Sequence, residues 1–219
     1  MNSFDKISRA DTLWEKTASQ LQSLIANGEI TSGKKLTESY LAEQLGVSRV
    51  PIREALRHLL SSGLLVSEPY KGVRVRDFNC DHLKQLYQYR AGLEKTAFTF
   101  IWPLRTPEYI SELHHRNQIL LRAIDTGDSE SAIMAEINLH SWCYEIANNS
   151  FLLDSWERIK PHIQCSFSLH QRAHSRQGPA RESHDNYISL ASGDSLSDML
   201  AHIDNHMKQG YNKVLKYLD

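Results

Sequence analysis

The stretch from residue 36 to residue 76 constrains the fold more than any other part of the chain. Apolar side chains at Leu41 and Leu45 indicate a short helix, and Gly46 interrupts it. Apolar residues then recur at helical spacing over residues 52–60 and indicate a second helix. A helix, a tight turn and a second helix form a helix-turn-helix, so the pattern predicts that motif here.

The second of these helices has a well-defined start and one basic face. Ser48 suits the N-cap position, and Pro51 falls in the first turn, where a missing backbone donor is tolerated. Opposite the apolar stripe lies a row of arginines spaced four residues apart, Arg49, Arg53 and Arg57. Such a row can meet phosphates or guanine edges, although basic rows by themselves are more often solvated helix faces.

A short hairpin follows the second helix. Residues 64–68 and 73–77 are two runs of strand-forming residues, and residues 69–72 form the turn between them. Alternation along the second run predicts two inward valines and two outward arginines, Val73, Val75, Arg74 and Arg76. A helix-turn-helix followed by such a ribbon is a winged helix.

The residues of this region are also similar to those of a known family. The segment LAEQLGVSRVPIREALRHLLSSGLL, followed by a Lys-Gly wing tip, resembles the DNA-binding domain of the GntR family of bacterial transcription regulators. The upstream segment IANGEITSGKKLTE is similar too, although Ser32 stands where a proline is usual. The resemblance implies binding to a double-stranded DNA operator, with the recognition helix in the major groove and the wing at a minor groove or the phosphates. The expected DNA-binding residues are Ser48, Arg49, Arg53, Arg57, Lys71 and Gly72.

The charge distribution fits a local DNA-binding patch. The chain of 219 residues has a formal net charge of -1, which is unusual for a protein that binds nucleic acid. Residues 1–78, however, hold 11 Lys and Arg against 9 Asp and Glu, whereas the remainder holds 14 against 17. The positive field is therefore concentrated on the predicted winged helix, where it is sufficient for docking one site.

Cysteine use and hydropathy predict the compartment. Cys80, Cys143 and Cys165 form no CxxC pair and are odd in number, which argues against a disulfide framework and for a reducing compartment. No apolar run approaches the length of a membrane span, and residues 1–11 lack the apolar core of a signal peptide. We therefore expect a cytoplasmic protein that does not bind a membrane.

Downstream of residue 78 the chain has helical patterning and no alternating strand pattern of useful length. Caps and helix breakers predict helices near residues 80–101, 107–126, 129–147, 150–173, 180–191 and 194–218, with a kink or break at Pro161. Helices joined by short loops form a bundle. The predicted fold is mainly α, with a winged helix-turn-helix DNA-binding domain at residues 1–78 and an all-α bundle for effector binding and dimerisation at residues 79–219.

A second group of polar residues lies on helix faces that are otherwise apolar. Glu136 and His140 share the apolar face of the third downstream helix at spacing i, i+4. Burying a carboxylate costs on the order of several kcal/mol unless it is paired or binds a metal. His184 and His206 lie on apolar faces of the two later helices, so three helices offer ligand atoms to one interior. Taken alone, Glu136 and His140 more often form a buried hydrogen-bonded pair than a metal site.

These segments resemble the FCD ligand-binding domain, which accompanies many GntR regulators of the FadR group. The similar stretches are EINLHSWCYEIANNS, SHDNYISLASGD and HIDNHM. In metal-binding members of that domain an Asp-x-x-x-His pair and two later histidines hold a divalent cation. The resemblance therefore implies the ligands Glu136, His140, His184 and His206, with Glu in place of the usual Asp. Zinc, nickel, manganese and iron all suit such a set.

The first downstream helix contains a further element of the same domain. QYRAGLE resembles its Arg-x-x-Leu-Glu-like segment, and Arg90 is the candidate partner of an effector carboxylate, because a guanidinium fork matches carboxylate geometry. The alternative is an intrahelical salt bridge between Arg90 and Glu94, at spacing i, i+4.

Together these features predict a homodimeric transcription regulator that is not an enzyme. Two-fold symmetry would let two recognition helices read a palindromic operator, and a small organic acid, a carboxylate or sugar acid, would modulate binding from the helical domain beside a divalent metal. In one alternative the protein is still a DNA-binding regulator, but a polar network and not a metal surrounds the effector. A second alternative is a metalloenzyme that uses Glu136, His140 and His184 as a two-histidine, one-carboxylate face.

Overall fold

The chain forms two compact units that divide between Arg76 and Asp77. The structure is a computed structural model and describes residues 12–70, 72–174 and 178–218. The predicted Lys71 contact lies outside these described residues. No helix in the described ranges has both the length and the hydropathy needed to span a bilayer.

The first unit contains three helices and a small sheet among its described residues. In chain order its elements are α1 (Leu13–Ala26), β1 (Lys35–Leu36), α2 (Glu38–Leu45), α3 (Arg49–Ser61), β2 (Leu65–Glu68) and β3 (Gly72–Val75). The Thr37 hydroxyl caps α2 by accepting a hydrogen bond from the Tyr40 N–H, and Gly46 ends it with a left-handed φ of 65°. The turn to α3 therefore depends on glycine, because a side chain at this φ would be strained.

Helix α3 packs through its apolar stripe. Its fully buried residues include Ile52, Ala55 and Leu59, and α1 lies against it with Leu21 and Ile25 buried. Each fully buried leucine or isoleucine contributes ~1.5–3 kcal/mol of transfer free energy relative to an exposed side chain. The stripe therefore fixes which face of α3 remains in solvent.

The wing is a three-stranded antiparallel sheet in the order β1-β3-β2. Residues 35 and 36 carry no strand pattern of their own, and β1 exists only because it pairs with Arg74 and Val73 of β3. The predicted alternation of valines and arginines is only partly observed, since Val75 is buried while Val73 is half-buried. Arg74 forms an ion pair with Glu68 across the hairpin, and Arg76 donates to the Gly63 carbonyl, so both guanidinium groups are partly withdrawn from solvent.

The second unit is a helical bundle. Its helices are α4 (Cys80–Ile101), α5 (Pro107–Thr126), α6 (Ser129–Ile146), α7 (Ser150–His174), α8 (Asp185–Ser192) and α9 (Leu196–Leu218), with 3-10 turns at Trp102–Leu104 and Arg181–His184. The mainly α architecture predicted from the sequence is confirmed. Helix α7 runs through Pro161 without a break. The helix expected at residues 180–191 instead begins with the 3-10 turn, and His184 is the N-cap of α8 with φ -110° and ψ -1°.

Aromatic side chains fill the core of this bundle. Tyr144 and Trp156 stack with ring centroids 4.5 Å apart and an interplanar angle of 6°, and the Trp156 indole N–H donates to the Ser141 hydroxyl. Helices α4 and α9 pack closely where Gly210 meets Tyr87, whose hydroxyl is hydrogen-bonded to Ser166. A Cβ at Gly210 would lie 2.8 Å from Tyr87 Cε1, so the close packing of the two helices requires glycine.

Replacing Gly210 with alanine should therefore destabilise the protein although alanine favours helix. We expect a loss of ~1–3 kcal/mol in the free energy of unfolding, because the buried Tyr87 ring cannot move without leaving Ser166. Gly92→Ala is the matched control, since Gly92 is an exposed glycine of α4 with no atom within 4 Å of its added Cβ. That variant should gain ~0.5–1 kcal/mol. Denaturant unfolding of both variants measures the difference, and a stabilised Gly210→Ala would contradict the packing argument.

Candidate functional site

The exposed face of α3 carries the arginine row predicted from the sequence. Arg49, Arg53 and Arg57 are all exposed, on the side opposite the buried stripe. The Arg49 side chain makes no hydrogen bond or ion pair with another described residue, although its charge helps to lower the pKa of Glu38, so its donors are available to a ligand. Arg57 donates to Glu54 one turn earlier, with Nη1 2.9 Å from Oε1.

Arg53 is held in place by an acidic residue of the preceding helix. Its Nε lies 2.8 Å from Glu38 Oε1 and its Nη2 lies 2.9 Å from Glu38 Oε2, which is a bidentate pair. The hydrogen bond from Arg53 lowers the pKa of the Glu38 carboxyl. Sequence reasoning missed Glu38, and its only signal was an acidic side chain in the first turn of α2. When Arg53 binds another anion, it must therefore either keep part of its contact with Glu38 or give that contact up.

The remaining predicted DNA contacts lie at the start of α3 and in the wing. Ser48 occupies the N-cap position, but its hydroxyl makes no capping hydrogen bond and stays exposed. Gly72 is exposed at the start of β3 with φ 84°, and a Cβ there would lie 3.3 Å from the Lys35 side chain. The tip also carries Tyr70, which is fully exposed and has a positive φ of 64°.

Three of the predicted metal ligands meet inside the helical unit. His140 comes from α6, His184 from the turn before α8 and His206 from α9, and one ligand atom of each lies within 4.8 Å of the others. Their ring centroids are 5.3 to 5.5 Å apart. Burial holds the pKa of all three imidazoles well below the usual value, so each is neutral, which is the form that binds a metal.

The ring nitrogens of these histidines suit a cation. His140 Nδ1 lies 3.0 Å from Glu94 Oε1, and His140 Nε2 is buried with no hydrogen-bond partner in the described structure. His184 Nε2 is likewise buried and makes no hydrogen bond there. Buried polar atoms are rarely left without a partner, so these two nitrogens and His206 fit a divalent metal with nitrogen ligands.

The fourth predicted ligand, Glu136, lies beside this group. Its Oε1 is 3.5 Å from His184 Nε2, but its carboxylate is not one of the ligand atoms that lie within 4.8 Å of one another. Burial raises the pKa of Glu136 to about 7, although the nearby Arg90 and Lys213 act against that shift. Glu136 therefore contacts one histidine of the group and lines the adjoining cavity.

Arg90 is completely buried beside the same centre. Its Nε lies 3.4 Å from Glu94 Oε2, so the intrahelical ion pair considered as an alternative is present. The guanidinium carbon lies 5.8 Å from the Trp156 ring centroid and 5.4 Å from that of Phe167. Arg90 Nε and Nη2 have no hydrogen-bond partner among the described residues, so the group retains donors for an anion.

A cavity of about 100 Å³ is lined by two of the three histidines, His184 and His206. Helices α4, α6, α7 and α9 contribute to its wall, and the polar side chains that line it include Arg90, Glu136, Gln171, Gln209 and Lys213. Two positively charged side chains, one carboxylate and two amides line this small space, which suits a small polar anion. Sequence reasoning missed Lys213 and the role of Glu94, because neither residue belongs to a short sequence motif from which its contacts could be predicted.

Comparisons with known proteins agree with both units. Residues 13–75 match the family of bacterial regulatory proteins called the gntR family, and residues 85–209 match the FCD domain. The gluconate operon transcriptional repressor of Bacillus licheniformis is 28% identical over 167 residues, which are 76% of this chain and 68% of that protein. The uncharacterized regulator YdhC of Bacillus subtilis is 28% identical over 141 residues, 64% of this chain and 63% of the relative.

The fold agrees with that of solved regulators. The structure of McbR/YncC from Escherichia coli has a TM-score of 0.79 and 22% identity, and the match covers 96% of this chain and 100% of that chain. The match of the FCD domain alone covers more than half of the sequence. The chain therefore belongs to the GntR family of bacterial regulatory proteins, with a winged DNA-binding unit followed by an FCD domain, and it is a DNA-binding transcription regulator and not an enzyme.

Proposed function

We propose that the chain binds a palindromic operator as a homodimer and that a small carboxylate, bound beside a divalent metal in the FCD domain, changes this binding. The observation that carries the effector part is the group of His140, His184 and His206, two of which line a cavity that is also lined by Arg90. The observation that carries the DNA part is the exposed arginine row on α3.

The residues of α3 and the wing differ in their side-chain partners, and we assign them different DNA contacts on that basis. Arg49 lies in the first turn of α3 without an ion-pair partner in the described chain, so it is our principal candidate for a base contact. Arg53 is oriented by Glu38 and would reach a base or phosphate from a fixed position. Arg57, Ser48 and the wing residues Lys71 and Gly72 are proposed to contact the backbone, which positions the protein without reading sequence.

Replacing Arg49 with alanine should reduce both affinity and specificity. A bidentate arginine contact to guanine gives ~1–3 kcal/mol of discrimination, so we expect a loss of that size and relaxed preference at one position in each half-site. Arg57→Ala is the matched control, because it removes the same charge from the same helix face. It should weaken binding to operator and to random DNA alike, and lower the salt dependence by about one phosphate contact. Titrations at several salt concentrations test both variants, and uniform weakening by Arg49→Ala would contradict a base contact.

The dimer proposal follows from the size of one recognition helix. One α3 covers too few base pairs for a specific site, whereas two related by a two-fold axis read two half-sites of a palindrome. Sedimentation of the full chain with a palindromic operator should give two chains per duplex. A complex of one chain per duplex with full specificity would contradict the proposal.

The metal proposal rests on the histidine nitrogens that lack a partner. His140, His184 and His206 supply three ligands, and Glu136 is proposed to complete the set or to bind the effector from the adjoining wall. Zinc, nickel, manganese and iron all remain compatible with three nitrogens and one oxygen. A cation here would fix the relative positions of α6, α8 and α9.

Replacing His184 with alanine should abolish metal binding while leaving DNA binding in place. In wild-type protein a divalent ion at 100 times its Kd should stabilise the fold by ~2.7 kcal/mol, and the variant should gain nothing. His202→Ala is the control, since His202 is a half-buried histidine of α9 outside the group of three. Metal analysis and thermal unfolding with and without a chelator measure the effect. Wild-type protein without stoichiometric metal and without stabilisation would favour the metal-free polar network.

The effector can be identified by measuring which small molecules raise the unfolding temperature of the protein. Small carboxylates and sugar acids that occupy the cavity should raise the unfolding temperature, because a ligand of the native state stabilises it by mass action. Lys213→Gln should reduce this gain, since Lys213 is a cation of the cavity wall. A response that survives both chelation and Lys213→Gln would place the effector elsewhere.

A further inference from the structure

Glu94 is a completely buried carboxylate at the centre of the helical unit. It lies in α4, and its side chain has no solvent exposure. One of its oxygens, Oε1, accepts a hydrogen bond from the Tyr187 hydroxyl at 2.8 Å and faces His140 Nδ1 at 3.0 Å. The other, Oε2, faces Arg90 Nε at 3.4 Å. The carboxylate therefore connects the guanidinium group of Arg90, on its own helix, to a histidine of α6 and a tyrosine of α8.

This contact determines which nitrogen of His140 carries the proton. A neutral imidazole has one N–H and one lone pair, and an ionised carboxylate can only accept. A hydrogen bond across the 3.0 Å between His140 Nδ1 and Glu94 Oε1 therefore requires the imidazole proton to lie on Nδ1. The lone pair then lies on Nε2, the nitrogen that has no hydrogen-bond partner.

We propose that Glu94 is the positioning residue of the metal centre, holding His140 with its proton on Nδ1 and its lone pair on Nε2 directed toward the cation. The inference rests on the proposed metal binding by His140, His184 and His206. A carboxylate that accepts from the second nitrogen of a ligating histidine fixes the ring and raises its basicity, and loss of such a partner typically costs 10- to 100-fold in metal affinity (roughly,).

The position of Arg90 favours one orientation of the side-chain amide when Glu94 is replaced by glutamine. In Glu94→Gln the amide has one oxygen and one NH2, and Arg90 presents donors on the Oε2 side. Turning the amide oxygen toward Arg90 places the NH2 against both His140 Nδ1 and the Tyr187 hydroxyl, so Nδ1 must accept, its proton moves to Nε2, and the tyrosine O–H must turn away. The variant thus replaces a ligand nitrogen with an N–H while it changes the volume of the side chain very little.

The test compares a variant that replaces the carboxylate with a variant that removes only the Tyr187 hydrogen bond to it. Glu94→Gln should lower the affinity for Co2+, the probe ion, by about 10- to 100-fold and change its visible absorption spectrum. Tyr187→Phe removes the other hydrogen bond to Oε1 but leaves the His140 contact, so its Co2+ affinity should stay near wild type. A role in stability alone would make the two variants lose affinity together with their thermal stability.

A second measurement uses wild-type protein and does not depend on a variant that folds. Nitrogen-15 NMR of labelled histidines reports the tautomer of each ring, with His140 assigned by its absence in His140→Gln. The metal-free protein should contain His140 with the proton on Nδ1. A proton on Nε2 in wild-type protein overturns the inference.

The outcomes also separate this inference from the proposed function. If wild-type protein binds Co2+ and folded Glu94→Gln binds it equally well, the positioning role is overturned while the metal centre stands. If wild-type protein fails to bind Co2+, the proposed metal centre is overturned and the positioning role with it.

Discussion

The helical unit depends on the burial of one ion pair, Arg90 with Glu94. Removing two charges from water costs on the order of several kcal/mol per ion, and an imperfect pair does not recover that cost without further hydrogen bonds. Tyr187 and His140 supply those bonds at Glu94, and the rings of Trp156 and Phe167 flank the guanidinium group. Helices α4, α6 and α8 must therefore hold a fixed relation, which brings His140 next to His184 at the start of α8.

A similar pair has a different consequence in the winged unit. Arg53 and Glu38 form a bidentate pair with good geometry, but both side chains are substantially exposed. Exposed pairs are screened by solvent and contribute little stability. The value of this pair is positional, because it directs one arginine of α3 while Arg49 keeps its donors free. Burial thus decides whether an acidic partner stabilises the fold or orients a surface group.

The histidine centre and the cavity share their wall, which links the two proposed ligands physically. Arg90 and Glu136 both line the cavity, Arg90 contacts Glu94, and Glu136 contacts His184. An anion in the cavity would thus meet side chains that also contact Glu94 and His184. An effector can shift such a centre only by its differential affinity for two arrangements of these helices. The small volume of about 100 Å³ favours a compact anion over a large one.

The sequence by itself determined the winged helix and the helical bundle, because periodic apolar residues and capping residues act locally. It predicted that His140, His184 and His206 share one interior through the resemblance to the FCD domain. It did not reveal β1, which forms only by pairing with β3, or the 3-10 turn that sets the His184 backbone. It offered Arg90 both as an effector contact and as the partner of Glu94, and left that choice open. Only the tertiary structure decided that Glu94 faces His140, since contacts between residues 46 positions apart depend on how helices pack and carry no local pattern.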